Sequence, residues 1–154
     1  MDESIEEKIQ KIRSQISQDP VSAKKLIDAL NIEKLGLKNQ TQIKLFIANI
    51  NSFEGKPKEA KQILVQLIKQ IKLIKDDVLI ADVFQAYAQN CFYLGNQKEA
   101  LSYLQKALNK YESLKLYQKV VSCFIIFGNI YYSNRDYDEA LRYYQKGIKK
   151  CETK

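Results

Sequence analysis

The residues suited to chemistry are few, and the missing types narrow the reading most. The chain has no histidine, which removes the commonest general base, the commonest metal ligand and every Ser-His or Cys-His pair. Its three cysteines, Cys91, Cys123 and Cys151, are widely spaced and lack a CxxC pairing. That usage fits reduced thiols and a cytoplasmic location better than a disulfide framework. Cys91 and Cys123 fall in apolar stretches and read as small buried hydrophobes, Cys151 as exposed. There is no glycine-rich phosphate loop and no carboxylate cluster. No cofactor, no metal and no enzymatic activity are therefore expected.

What remains is recognition chemistry. Asn49, Gln89 and Asn129 are side-chain amides set 40 residues apart. An amide donates and accepts at once, so such a ladder can grip a peptide backbone without reading its sequence. A second role is equally open to it, as hydrogen bonding between helices. Lys58, Lys61, Lys69 and Lys72 fall within about a quarter of a helix circumference. They form a possible basic patch for phosphate or acidic protein. No aromatics are interleaved for base stacking, so a solvated face is the plainer reading and nucleic acid the lesser one.

These residues are positioned by a phrase written three times: GKPKEA at 55–60, GNQKEA at 95–100 and RDYDEA at 135–140. Its alanines, Ala60, Ala100 and Ala140, are 40 residues apart. Twelve residues before each stand Ala48, Ala88 and Gly128, small enough to let two helices cross closely. Leu64, Leu104 and Tyr144 follow each anchor by four residues, and Ile68, Leu108 and Ile148 by eight. The spacing gives one apolar stripe per helix. Near the N-terminus Ile5, Ile9, Ile12 and Ile16 form a narrower stripe over 3–18, and Asp19-Pro20 reads as the start of a second helix. Gly36 is placed as a helix-ending residue, with helices following over 41–53 and from Pro57 to about Lys75.

Length and composition agree with this. A chain of 154 residues, 45% hydrophobic, with five glycines and two prolines predicts one helical domain. The net charge of +7 permits acidic partners without selecting one. The opening MDESIEEK lacks the order of a secretory signal, and the apolar runs are too short for a transmembrane helix.

The pattern resembles the tetratricopeptide repeat, most closely over Phe127–Ile148, FGNIYYSNRDYDEALRYYQKGI, and nearly as well over Tyr87–Leu108. The resemblance implies an all-α, right-handed α-solenoid of eight antiparallel helices. Residues 1–154 would form one domain: a degenerate capping pair over 1–37 and repeats over 41–75, 77–115 and 116–152. The family period is ~34 residues, whereas this chain repeats every 40. That looks like the long-helix branch seen in kinesin light chains and bacterial peptide-sensing regulators. The extra residues are assigned to longer helices near Lys110–Leu116 and Lys72–Asp77.

In the family the first helix of each pair lines a concave groove. The resemblance therefore implies a non-enzymatic interaction module, adaptor or scaffold that holds a peptide or helix of a partner protein. Its groove would carry Asn49, Gln89 and Asn129, flanked by Leu45, Gln85 and Ile125, with Phe53, Phe92, Tyr93 and Tyr132 as aromatic anchors. Leu45, Gln85 and Ile125 occupy slots where some relatives carry lysines that clamp a C-terminal carboxylate, so that clamp is not expected. Two alternatives stay open: a structural subunit held by its convex face and C-terminal end, and an RNA-associated protein using the lysines. In the last helix Leu141, Tyr144 and Ile148 are expected to face the preceding helix. Tyr137 and Tyr143 would then be left open for a partner or a second copy.

Overall fold

A computed structural model of the chain describes residues 3–152. Among them are eight α-helices: α1 (Ile5–Gln15), α2 (Pro20–Asp28), α3 (Leu37–Phe53), α4 (Pro57–Gln70), α5 (Asp77–Tyr93), α6 (Gln97–Ser113), α7 (Tyr117–Ser133) and α8 (Tyr137–Glu152). No strand occurs among the described residues. The ends of the predicted domain, 1–2 and 153–154, lie outside them.

The helices are cut to length by one backbone device used four times. Gly55, Gly95, Lys115 and Arg135 take left-handed φ values of 75°, 78°, 56° and 64°. Directly after each, a backbone N–H reaches back across the turn: Lys56 to Asn51 O at 2.8 Å, Asn96 to Cys91 O at 2.8 Å, Leu116 to Tyr111 O at 2.9 Å and Asp136 to Tyr131 O at 3.0 Å. This is the six-residue closure that satisfies carbonyls at a helix end, and it needs a left-handed residue. Glycine takes that conformation freely; lysine and arginine are strained in it. N-caps restart the chain. The side chains of Asp19, Asp76 and Asn96 accept from the backbone N–H of Ser22, Leu79 and Glu99, and Ser4 with Glu7 forms a capping box.

The described residues fall in two compact units, Met1–Ile74 and Lys75–Lys154. In the first, Ile9, Ile12 and Ile16 of the narrow stripe pack with Ala23, Ile27, Ile43, Phe46 and Ile50. Two expectations are corrected here. Gly36 does not end a helix; it precedes α3, at φ −64°, and α3 begins at Leu37 rather than near residue 41. The break is filled instead by a 3-10 helix, Ile32–Lys34, and Gln40 Nε2 holds it by donating to Leu35 O at 2.7 Å. Nor does α4 run to Lys75. It tightens into a 3-10 helix at Ile71–Leu73, so the added residues before α5 form a short turn and connection and do not lengthen α4. Ile74 follows in extended conformation and is buried.

The second unit holds the regular part of the repeat. Here α5, α6 and α7 are each 17 residues long. Ala88 and Ala100 are fully buried, and so are Gly128 and Ala140 in the next pair. α5 packs on α6 and α7 on α8, while α7 also packs on α6 and touches α5. The small residues meet their partners with little slack: a Cβ built on Gly128 would stand 2.3 Å from the Tyr144 ring.

Candidate functional site

Of the ten residues expected to line a groove, Gln85, Gln89, Phe92 and Tyr93 lie on α5 and Ile125, Asn129 and Tyr132 on α7, two helices that touch within the second unit. Leu45, Asn49 and Phe53 lie on α3, in the first unit. Asn49 is half-buried and Phe53 exposed. Leu45 is a correction. It is buried, with 4% of its surface exposed, because its side of α3 is part of the packed interior.

Gln85 is also drawn inward. Its Nε2 donates to Ser122 Oγ at 2.8 Å, and its Oε1 lies 2.9 Å from the Tyr111 hydroxyl. That hydroxyl donates to Asp82 Oδ1 at 2.6 Å, and Lys119 Nζ donates to the same oxygen at 2.8 Å. The cluster joins α5, α6 and α7. Burial, reinforced by the Asp82 charge, holds the Tyr111 hydroxyl well above its ordinary range. Burial likewise pushes the adjacent Cys123 thiol up to about 12 against some lowering by Lys119. Gln85 is thus a structural tie whose amide is already used. A second internal group stands between α5 and α6, where the Tyr87 hydroxyl donates to Glu99 Oε1 at 2.7 Å.

The other two amides of the second unit are each half engaged. Gln89 Nε2 donates to the Tyr93 hydroxyl at 2.9 Å, and Asn129 Oδ1 accepts from the Tyr144 hydroxyl at 2.8 Å. Each bond uses one side of an amide that has both a donor and an acceptor. Around them Tyr93, Ile125 and Tyr132 are exposed and Phe92 half-buried. The Phe92 and Tyr93 rings are 5.9 Å apart, and Tyr132 meets Tyr137 edge-on at 5.3 Å.

The lysine group does not hold together as drawn. Lys58, Lys61 and Lys69 are on α4, but Lys72 lies in the 3-10 helix beyond it, so its angular place on a continuous helix is lost. Lys61 is half-buried. Among the described residues no cluster of three or more His, Cys, Asp and Glu could hold a metal, and no helix is long and apolar enough to cross a membrane.

The last helix reverses the sequence expectation. Tyr143 is half-buried, stacked on Phe127 at 4.8 Å and Tyr131 at 5.4 Å, and burial raises its hydroxyl. Leu141 and Ile148, expected against α7, are 55% and 59% exposed. Tyr137 is open as expected. Of the stripe expected against α7, Tyr144 does face it, packing on Gly128 and donating to Asn129, while Leu141 and Ile148 turn away.

Helix pairs repeated at a fixed residue spacing, with the first helix of one pair packed on its predecessor, define an all-α helical-repeat protein. The tetratricopeptide repeat family model matches residues 125–154. The crystal structure of BtubC (BKLC) from P. vanneervenii superposes with a TM-score of 0.71 at 17% identity, over 99% of this chain and 76% of that one. At that identity the likeness concerns the fold. No curated protein matches the sequence. The chain is thus an all-α helical-repeat protein with a tetratricopeptide-repeat match over 125–154, a repeat that in general serves interaction and scaffold modules.

Proposed function

We propose that the chain is a non-enzymatic adaptor whose α5–α7 surface takes an extended segment of a partner protein. One observation carries the reading. Gln89 and Asn129, a repeat apart, each spend one side of the amide internally. The Gln89 oxygen and the Asn129 nitrogen stand beside exposed Tyr93, Ile125 and Tyr132. A peptide backbone offers the matching donor and acceptor, and the aromatics supply rigid apolar anchors.

The test is selection from a random peptide library on the immobilised chain, followed by anisotropy titration of the recovered peptides. Replacing Gln89 and Asn129 by alanine is expected to weaken binding roughly tenfold or more, at about 1 kcal/mol per hydrogen bond, with the helical circular dichroism unchanged. Tyr144→Phe is the control, since it breaks the internal bond to Asn129 but keeps the amide. Unchanged affinity in the alanine variant refutes the assignment.

A further inference from the structure

The α7/α8 pair exposes a face that its counterpart, α5/α6, buries. Along α8 the residues Tyr137, Leu141, Tyr144 and Ile148 follow at intervals of four, three and four, within about 60° of one another on the helix. All but the half-buried Tyr144 are exposed. Beside them on α7 stand exposed Ile125 and Tyr132. The residues equivalent to Leu141 and Ile148 in the preceding pair are shielded: Leu101 is half-buried and Leu108 6% exposed, where α7 packs on α6. Among the described residues no helix packs on α8 other than α7 in this way.

We propose that this face takes a second copy of the chain, whose own α7/α8 pair packs on it antiparallel about a two-fold axis. Two properties select that occupant. The first is symmetry. An isologous interface needs a self-complementary surface, and a four-three-four spacing reads the same in both directions. Reversal sets Tyr137 against the partner's Ile148 and Leu141 against the partner's Tyr144. The Gly128–Tyr144 contact fixes the level of α7 beside α8. At that level the same axis brings Ile125 toward the partner's Tyr132, so both helices obey one symmetry operation and close into a four-helix bundle.

The second property is charge. α8 is acidic in its first turn, at Asp138 and Glu139, and basic in its last, at Lys149 and Lys150. Asp138 and Lys149 lie on one flank of the stripe, so an antiparallel copy places Asp138 near the partner's Lys149, twice over. A parallel copy would set like charges side by side. The outer side of α1, by contrast, is polar, with Glu6, Glu7, Gln10, Lys11 and Arg13 exposed, and offers no apolar match for a head-to-tail stack.

Sedimentation velocity on the 154-residue chain, over roughly 1–200 μM because contacts of this kind begin in the micromolar range, should show a reversible shift from 17.9 kDa toward twice that mass. Leu141→Asp with Ile148→Asp, both at exposed sites, should keep the helical dichroism and weaken association on the order of 100-fold, since a carboxylate would be forced into an apolar contact. Asp138→Lys alone and Lys149→Asp alone should each weaken it, and the double exchange should restore it. In the antiparallel pair the two Cys151 side chains are roughly 25 Å apart at 1.5 Å per residue, so mild oxidation should give no Cys151-linked dimer. A monomer at every concentration overturns the proposal. So does a dimer indifferent to the aspartates, a charge exchange that fails to restore it, or rapid Cys151 cross-linking. Ile125 and Tyr132 belong to both surfaces, so peptide and second copy compete. None of these variants removes an amide, so their loss of association with peptide binding kept overturns neither reading, while an unsubstituted chain that stays monomeric and still binds peptide overturns only this one.

Discussion

The α5/α6 and α7/α8 pairs have the same pattern and opposite surroundings. Leu101 and Leu108 of α6 answer to Leu141 and Ile148 of α8, yet the first two are half-buried and buried beside the next helix and the second two are open. The difference shows that a stripe does not decide its own burial; the following helix does. It also shows how one repeat compensates internally. Where the covered pair has Ala88 and Leu104, the open pair has Gly128 and Tyr144, a smaller residue for a larger one. The Tyr144 ring occupies the space a Cβ would need.

The strongest way to break this comparison is to truncate matched residues. Leu108→Ala is expected to cost about 2–5 kcal/mol in urea unfolding, as for a buried leucine, whereas Ile148→Ala, one repeat later and exposed, should stay within about 0.5 kcal/mol at low protein concentration. Equal costs would mean that α7 does not shield α6 as described. Next in size is Gly128→Ala, which should cost about 1–3 kcal/mol by overpacking against Tyr144. Adding Tyr144→Leu recreates the Ala88–Leu104 pair, and recovery of stability in the double variant would sharpen the size-exchange argument.

Alkaline titration separates the covered interface from the open one in another way. Cys123 is raised to about 12 and Tyr111 higher still, mainly by burial. Unfolding lets each ionise at its ordinary value, so the unfolded state binds fewer protons there. The stability from Cys123 is complete below about pH 9 and lost as pH rises toward 12, at about 1.4 kcal/mol per pH unit. Tyr111 follows from about pH 10. Cys123→Ala should flatten the lower part of that decline, and a profile unchanged by it would contradict the buried thiol. The smallest expected effect compares the turns. Arg135 occupies the left-handed site held by Gly95 one repeat earlier, so Arg135→Gly should stabilise by about 0.5–1 kcal/mol, while Gly95→Arg should destabilise by about as much. Thermal melts would read both.

Much of this architecture could be read from residue types. The three anchor alanines, the small residues twelve positions before them and the turn residues 55, 95 and 135 recur at one spacing, and all occupy equivalent places. Both buried cysteines and the exposed one were also legible. The misses share a cause. Periodicity reports which side chains lie on one stripe, but the neighbour that covers the stripe comes from elsewhere in the chain. Leu141 and Ile148 were therefore assigned to the wrong side, and Tyr143 was left open although Phe127 and Tyr131 enclose it. Gln85 looked like a recognition amide because its partners, Tyr111 and Ser122, come from two other helices. Gly36 and the Ile71–Leu73 turn misled through local backbone conformation: glycine at negative φ can precede a helix as readily as follow one.

The Tyr111–Asp82–Lys119 cluster has a consequence for discrimination between neighbours. A foreign helix laid on α6 without a cation where Lys119 stands would strand the Asp82 carboxylate, and mismatched buried charges are how a junction rejects wrong partners. One repeat later, Asp82, Gln85 and Tyr111 are replaced by Ser122, Ile125 and Cys151. The covered junction is thus fastidious, and the open face is permissive at its centre. Selectivity there falls to charges at the rim, which set orientation and encounter rate more than strength.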